Sequence, residues 1–146
     1  MQRREFIVAV GTAAAAASAG QAFAQATGGA GMEDMHPALY KALEKSSGTC
    51  VETGNDCLRH CFGMFSMKDT SMASCANATF QLIAACNALS SLAAVNSSHV
   101  PAFAKAVEMI CNDCKKECDK FPKIAECTAC GDACKKCAEE CRKVST

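Results

Sequence analysis

The sequence predicts an all-α protein, an antiparallel four-helix bundle with a Cys-lined core, and three observations predict it. Four stretches carry apolar residues or cysteines at steps of three and four, the repeat of one helix face. Glycine, proline, serine or asparagine signals separate these stretches. The links between them are short, as in an up-and-down bundle, and no alternating strand pattern is visible.

The N-terminus reads as a leader outside the fold. Arg3-Arg4-Glu5-Phe6 opens it, an apolar run extends from Ile7 to Ala17, and Ala22-Phe23-Ala24 offers the small residues a signal peptidase reads. The paired arginines point to the twin-arginine export route. The apolar run is shorter than the roughly 20 residues of a bilayer span. Residues 1–24 are therefore expected to be cleaved, and the protein to be periplasmic or otherwise extracytoplasmic with no membrane insertion. Residues 25–35 are glycine-rich and read as a flexible segment, which leaves residues 36–146 for the bundle.

Order should begin at His36-Pro37, with Pro37 in the first turn of a helix. Leu39, Leu43, Cys50, Cys57, Cys61 and Met64 mark its inner face. Ser46-Ser47-Gly48 and Gly54 weaken it and predict a kink or break. Lys68-Asp69-Thr70-Ser71 reads as a turn, with Thr70 or Ser71 capping the next helix. That second helix, about 72–95, places Cys75, Thr79, Leu82, Cys86 and Leu89 on one face. Asn96-Ser97-Ser98 closes it and caps a third helix starting near Pro101, which carries Phe103, Val107, Ile110, Cys111, Cys114 and Cys118. Lys120-Phe121-Pro122 breaks the chain again, and a fourth helix over about 123–144 carries Ile124, Cys127, Cys130, Cys134, Cys137 and Cys141. Its cysteines step 3, 4, 3, 4 over two heptads, the seam that faces a bundle core. Glu126, Asp132, Lys135, Lys136, Glu139, Glu140 and Arg142 form its solvent face.

The chemistry follows from the 13 cysteines, all of which lie beyond residue 49. An exported protein ordinarily spends cysteines on disulfides, but an odd number leaves one over. Helical neighbours at three and four residues have Cβ atoms roughly 5–6 Å apart, whereas a disulfide wants about 3.5–4.5 Å. Two thiolates on one linear ion, with bonds near 2.3 Å, span roughly 4.6 Å. The pairs Cys57/Cys61, Cys114/Cys118, Cys130/Cys134 and Cys137/Cys141 have a spacing that suits such an ion. Thiolates select Cu(I), zinc or iron–sulfur clusters. A four-thiolate zinc carries a net charge of about −2, and burying several is costly. Cu(I) with one thiolate is neutral, so many such ions can share a core, up to about one per cysteine. Cys111/Cys114, Cys127/Cys130 and Cys134/Cys137 also fit the zinc spacing Cys-x-x-Cys, but they lie on helical pattern rather than on the turns of a zinc knuckle.

His60, Met64, Met67 and Met72 cluster near the end of the first helix. They read either as soft ligands, since thioethers bind Cu(I), or as hydrophobic caps on the bundle end. His36 and His99 read as capping or surface residues. Balanced charge, the absence of Trp and a single Tyr exclude nucleic acid as a partner. No Ser–His–Asp, paired-carboxylate or phosphate-loop constellation appears, and neither thioredoxin-type nor iron–sulfur signatures are present, so no enzyme activity is expected.

The arrangement resembles the bacterial copper storage protein family, in its exported branch. The matching residues are Cys50, Cys57-x-x-x-Cys61, Cys75 and Cys86, Cys111-x-x-Cys114-x-x-x-Cys118, and the five cysteines from Cys127 to Cys141. The resemblance implies a Cu(I) store that holds many ions along the bundle axis, assembles as a homotetramer and later supplies copper enzymes. It also implies a mouth at one bundle end, where His60, Met64, Met67 and Met72 match non-thiolate ligands. Two other readings stand beside it: a secreted helical scaffold stapled by cross-helix disulfides, and a zinc-binding protein.

Overall fold

The computed structural model describes residues 36–145. The expected leader, residues 1–24, and the glycine-rich segment, residues 25–35, lie outside the described residues. Four helices follow in order: α1 (Lys41–Ser66), α2 (Ala73–Ala94), α3 (Val100–Cys118) and α4 (Ala125–Val144). Each packs on two neighbours, α1 on α2 and α4, and α3 on α2 and α4, while the diagonal pairs do not meet. This is the square, antiparallel bundle that short links dictate.

The expected interruption of α1 is absent: the helix runs unbroken for 26 residues. Ser47 folds its hydroxyl back onto the Leu43 carbonyl at 2.7 Å, so it is satisfied inside the helix. Gly54 serves packing. A Cβ there would stand 2.9 Å from Ile83 Cγ1, so its absence lets α2 approach α1 closely. The start of α1 also differs from expectation, because His36–Tyr40 form a bend and turn ahead of Lys41. Leu39 is 67% exposed there rather than on the inner face. Its backbone N–H donates to Asn96 Oδ1 at 2.8 Å, and the Asn96 side-chain amide donates to the Pro37 carbonyl at 2.9 Å. The turn thus ties itself to the α2–α3 link instead of extending the helix.

Helix ends are set by backbone rather than by side-chain caps. Lys68 and Asn96 take left-handed φ values of 63° and 52° just past α1 and α2. Asp69 N–H bonds the Met64 carbonyl and Ser97 N–H bonds the Leu92 carbonyl, both at 3.0 Å, which closes each helix in a Schellman turn. Met72, not Thr70 or Ser71, precedes the first turn of α2, and it makes no side-chain cap. Asp69 instead accepts the Ser71 N–H at 2.9 Å and stabilises the turn itself. Pro101 stands in the first turn of α3 as expected.

The core has two segments along its axis. Toward the end formed by the α2–α3 link, Leu43, Leu89, Ala93, Val100, Ala104 and Val107 make a fully apolar plug. The remainder, up to the α1–α2 and α3–α4 links, is lined by cysteines, all 13 of them buried. Among the described residues no helix is long and apolar enough to cross a membrane.

Candidate metal centre

Helical period alone places these sulfurs. Every cysteine sits where a bundle seam would hold Leu or Ile, and each is 1% exposed or less. Cysteine is small, so four facing helices leave its sulfurs near the axis and near one another. Cys57 Sγ lies 3.7 Å from Cys75 Sγ and 3.8 Å from Cys127 Sγ. Cys75–Cys118 and Cys114–Cys130 each stand at 4.0 Å. All of these are cross-helix pairs, and all are far beyond the roughly 2.05 Å of a disulfide.

Four groups bring three or four sulfurs within 4.8 Å of one another: Cys57/Cys61/Cys75, Cys57/Cys118/Cys130, Cys114/Cys130/Cys134 and Cys50/Cys86/Cys111/Cys137. The first three are linked, since Cys57 belongs to two and Cys130 to two. A three-coordinate ion with bonds near 2.3 Å sets its sulfurs about 4.0 Å apart, which the measured separations match. The pairing expected from spacing along single helices is thereby refined. Of the same-helix pairs, Cys57/Cys61 and Cys130/Cys134 do fall within single groups, but the helices cooperate to make every group. Cys127 joins through Cys57, and Cys141 through its hydrogen bond with Cys137.

Crowding sorts the thiols by acidity. Cys50 is lowered to about 6, chiefly by hydrogen bonding from Cys111. Cys57 and Cys114 are held low foremost by Cys118, and Cys137 foremost by Cys111. The others are raised. Desolvation pushes Cys61 up to about 12 and also lifts Cys127, while hydrogen bonding from Cys137 keeps Cys111 protonated. Every group therefore contains at least one thiol whose acidity is raised by hydrogen bonding from its neighbours.

One buried polar residue among the thiols carried no clear signal in the sequence beyond its inward face. Thr79 is fully buried, and its Oγ1 lies 3.8 Å from Cys57 Sγ, to which it donates, and 3.7 Å from Cys114 Sγ. It occupies the seam of α2 between Cys75 and Cys86, where a further cysteine would fit the spacing.

The expected mouth residues divide. His60 Nε2 is buried without a hydrogen-bond partner, and its Nδ1 stands 3.8 Å from Glu126 Oε2. Glu126 thus turns toward α1 rather than standing apart on a solvent face. Met72 is buried and Met64 half-buried against the core, both at the thiol-lined end. Met67 is 68% exposed, so the described conformation does not bring it to the thiols. His99 is exposed and makes no side-chain cap.

A thiol-lined four-helix bundle with one sealed end defines a class of metal-sequestering protein. A family model described as copper storage protein matches residues 36–146, and the chain belongs to that family. Among solved structures it is similar to the Cu(I)-bound copper storage protein BsCsp3, with a TM-score of 0.63 and 22% identity over 73% of this chain and 97% of that one. At that identity the likeness speaks for the shared bundle fold. No curated protein matches the chain in sequence.

Proposed function

We propose that the protein stores Cu(I), holding many ions on the thiolates of its core and releasing them to copper-requiring enzymes. The observation that carries the reading is the linkage of sulfur groups through Cys57 and Cys130. Shared sulfurs let neutral Cu(I)–thiolate units run along the axis, where separate zinc–tetrathiolate units would accumulate charge. The proposed ligands are Cys50, Cys57, Cys61, Cys75, Cys86, Cys111, Cys114, Cys118, Cys127, Cys130, Cys134, Cys137 and Cys141, with His60, Met64 and Met72 receiving ions at the mouth and Met67 joining them from the α1–α2 link. Family membership and the Cu(I)-bound structural neighbour support this metal and a non-enzymatic role.

Each bound thiol exchanges its proton for Cu(I). The aliphatic plug leaves the His60 end as the way in and out. The twin-arginine motif supports export of the already folded chain, which spares its thiols from random oxidation. Exposed Phe62 and Phe80 on α1 and α2 are compatible with assembly as a homotetramer.

The test is metal analysis and thiol counting on protein isolated anaerobically from the periplasmic fraction. Several copper ions per chain with the cysteines reduced is the expected result. Twelve oxidised cysteines, or several zinc ions per chain in place of copper, would overturn the reading.

A further inference from the structure

We propose that the tetrad Cys50, Cys86, Cys111 and Cys137 is a closed tetrahedral site that takes one divalent ion of the zinc class while the core is empty of Cu(I). It is the one group of four among the described residues, and all of its sulfurs lie within 4.8 Å of one another. Each helix contributes one ligand: α1 Cys50, α2 Cys86, α3 Cys111 and α4 Cys137. It shares no sulfur with the three linked groups of three, which lie nearer the mouth and offer too few donors for a tetrahedron.

The geometry needed is close to the geometry present. Four thiolates at about 2.3 Å from a central ion stand about 3.8 Å from one another, so the tetrad contracts by no more than about 1 Å. Its surroundings are buried and in part aliphatic. Fully buried Leu82 and Leu89 flank Cys86 along α2, and fully buried Val107 precedes Cys111 by one turn of α3. Four protein sulfurs with no open position is the coordination of a structural zinc site, and tetrahedral S4 donors select zinc.

On binding, each thiol still protonated releases its proton, and the four sulfur–metal bonds leave a net charge of −2 on the unit. One such unit is tolerable where several would not be. That charge also gives the softer, monovalent Cu(I) its advantage, so copper entering the core displaces the divalent ion. Until then one ion joins all four helices beside the plug.

The test is anaerobic titration of the reduced, metal-free protein with Co2+, followed by Zn2+. The expected result is the visible d–d spectrum of a tetrahedral tetrathiolate, saturating at about one Co2+ per chain and abolished by about one Zn2+. X-ray absorption of the zinc-loaded protein should find four sulfurs around each ion. Cys86→Ser and Cys111→Ser, with helicity checked by circular dichroism, should each lose the tetrathiolate spectrum. No tetrathiolate spectrum in the wild type, fewer than four sulfurs around zinc, or spectra unchanged in both folded variants would overturn the proposal. Cu(I) titration of the same preparation separates it from the storage reading. Many Cu(I) ions with no tetrathiolate cobalt signal sinks this site alone, whereas a cobalt tetrathiolate with only a few Cu(I) ions sinks storage alone.

Discussion

At the scale of single residues, the protein puts thiols where a hydrophobic core would hold aliphatic side chains. A buried Leu contributes about 1.5–3 kcal/mol by leaving water. A buried Cys contributes less and adds a proton to be managed. The structure manages these protons by mutual hydrogen bonding, which lowers Cys50 to about 6 and leaves Cys61, desolvated, at about 12. The sign of the resulting pH dependence differs on the two sides of the ordinary thiol value of 9.0. Cys50, depressed in the fold, adds stability that is present above pH 9.0 and lost as pH falls through about 6. Cys61, raised in the fold, adds stability that is present below pH 9.0 and lost as pH rises through about 12. The reduced, metal-free protein should therefore melt at its highest temperature near pH 9, with Tm falling on either side. A Tm that rises steadily from pH 9 toward 12 in anaerobic thermal scans would contradict this assignment. Cu(I) loading replaces these protons and should flatten the profile.

At the scale of helices, the repeat of three and four made the inner faces legible. All thirteen cysteines, Thr79, Leu82 and Leu89 lie where the spacing puts them. What the repeat could not show is the partner across the bundle. Cys57 meets Cys75 and Cys127 because three helices converge on it, and spacing along one helix is blind to that. The expected break in α1 fails for a related reason: Gly54 weakens an isolated helix, but tertiary packing reverses its meaning by using the missing Cβ against Ile83. Leu39 leaves the inner face because its backbone finds a better partner in Asn96, 57 residues away, than in another helical turn. Two of the three α1 glycines, Gly48 and Gly54, should therefore respond oppositely to substitution. A Cβ at Gly48 would meet nothing within 4 Å, so Gly48→Ala should stabilise the fold by up to about 1 kcal/mol through helix propensity. Gly54→Val drives a branched side chain into Ile83 and Thr79 and should destabilise it by about 1–3 kcal/mol. Chemical denaturation of both variants, metal-free, measures the difference.

At the scale of the molecule, stability and storage occupy different lengths of the same bundle. The plug of Leu43, Leu89, Val100 and Val107 carries conventional packing, and the thiol segment carries the proposed ligands. Leu43→Ala opens a cavity in the plug and should cost about 2–5 kcal/mol, yet leave Cu(I) capacity unchanged because no thiol is lost. A loss of capacity in that variant while it remains folded would show that the two segments are not independent. Surface ion pairs such as Arg142–Glu108, at 2.9 Å and largely exposed on the arginine side, add little to either function. The central claim is that a preformed helical core binds many Cu(I) ions. Anaerobic Cu(I) titration against a chromophoric chelator, with circular dichroism recorded at each step, tests it most directly. The account predicts more than about six ions per chain, half of the one-per-cysteine limit, with helicity unchanged throughout. Saturation at about one to four ions, or helices that form only as metal binds, would contradict it.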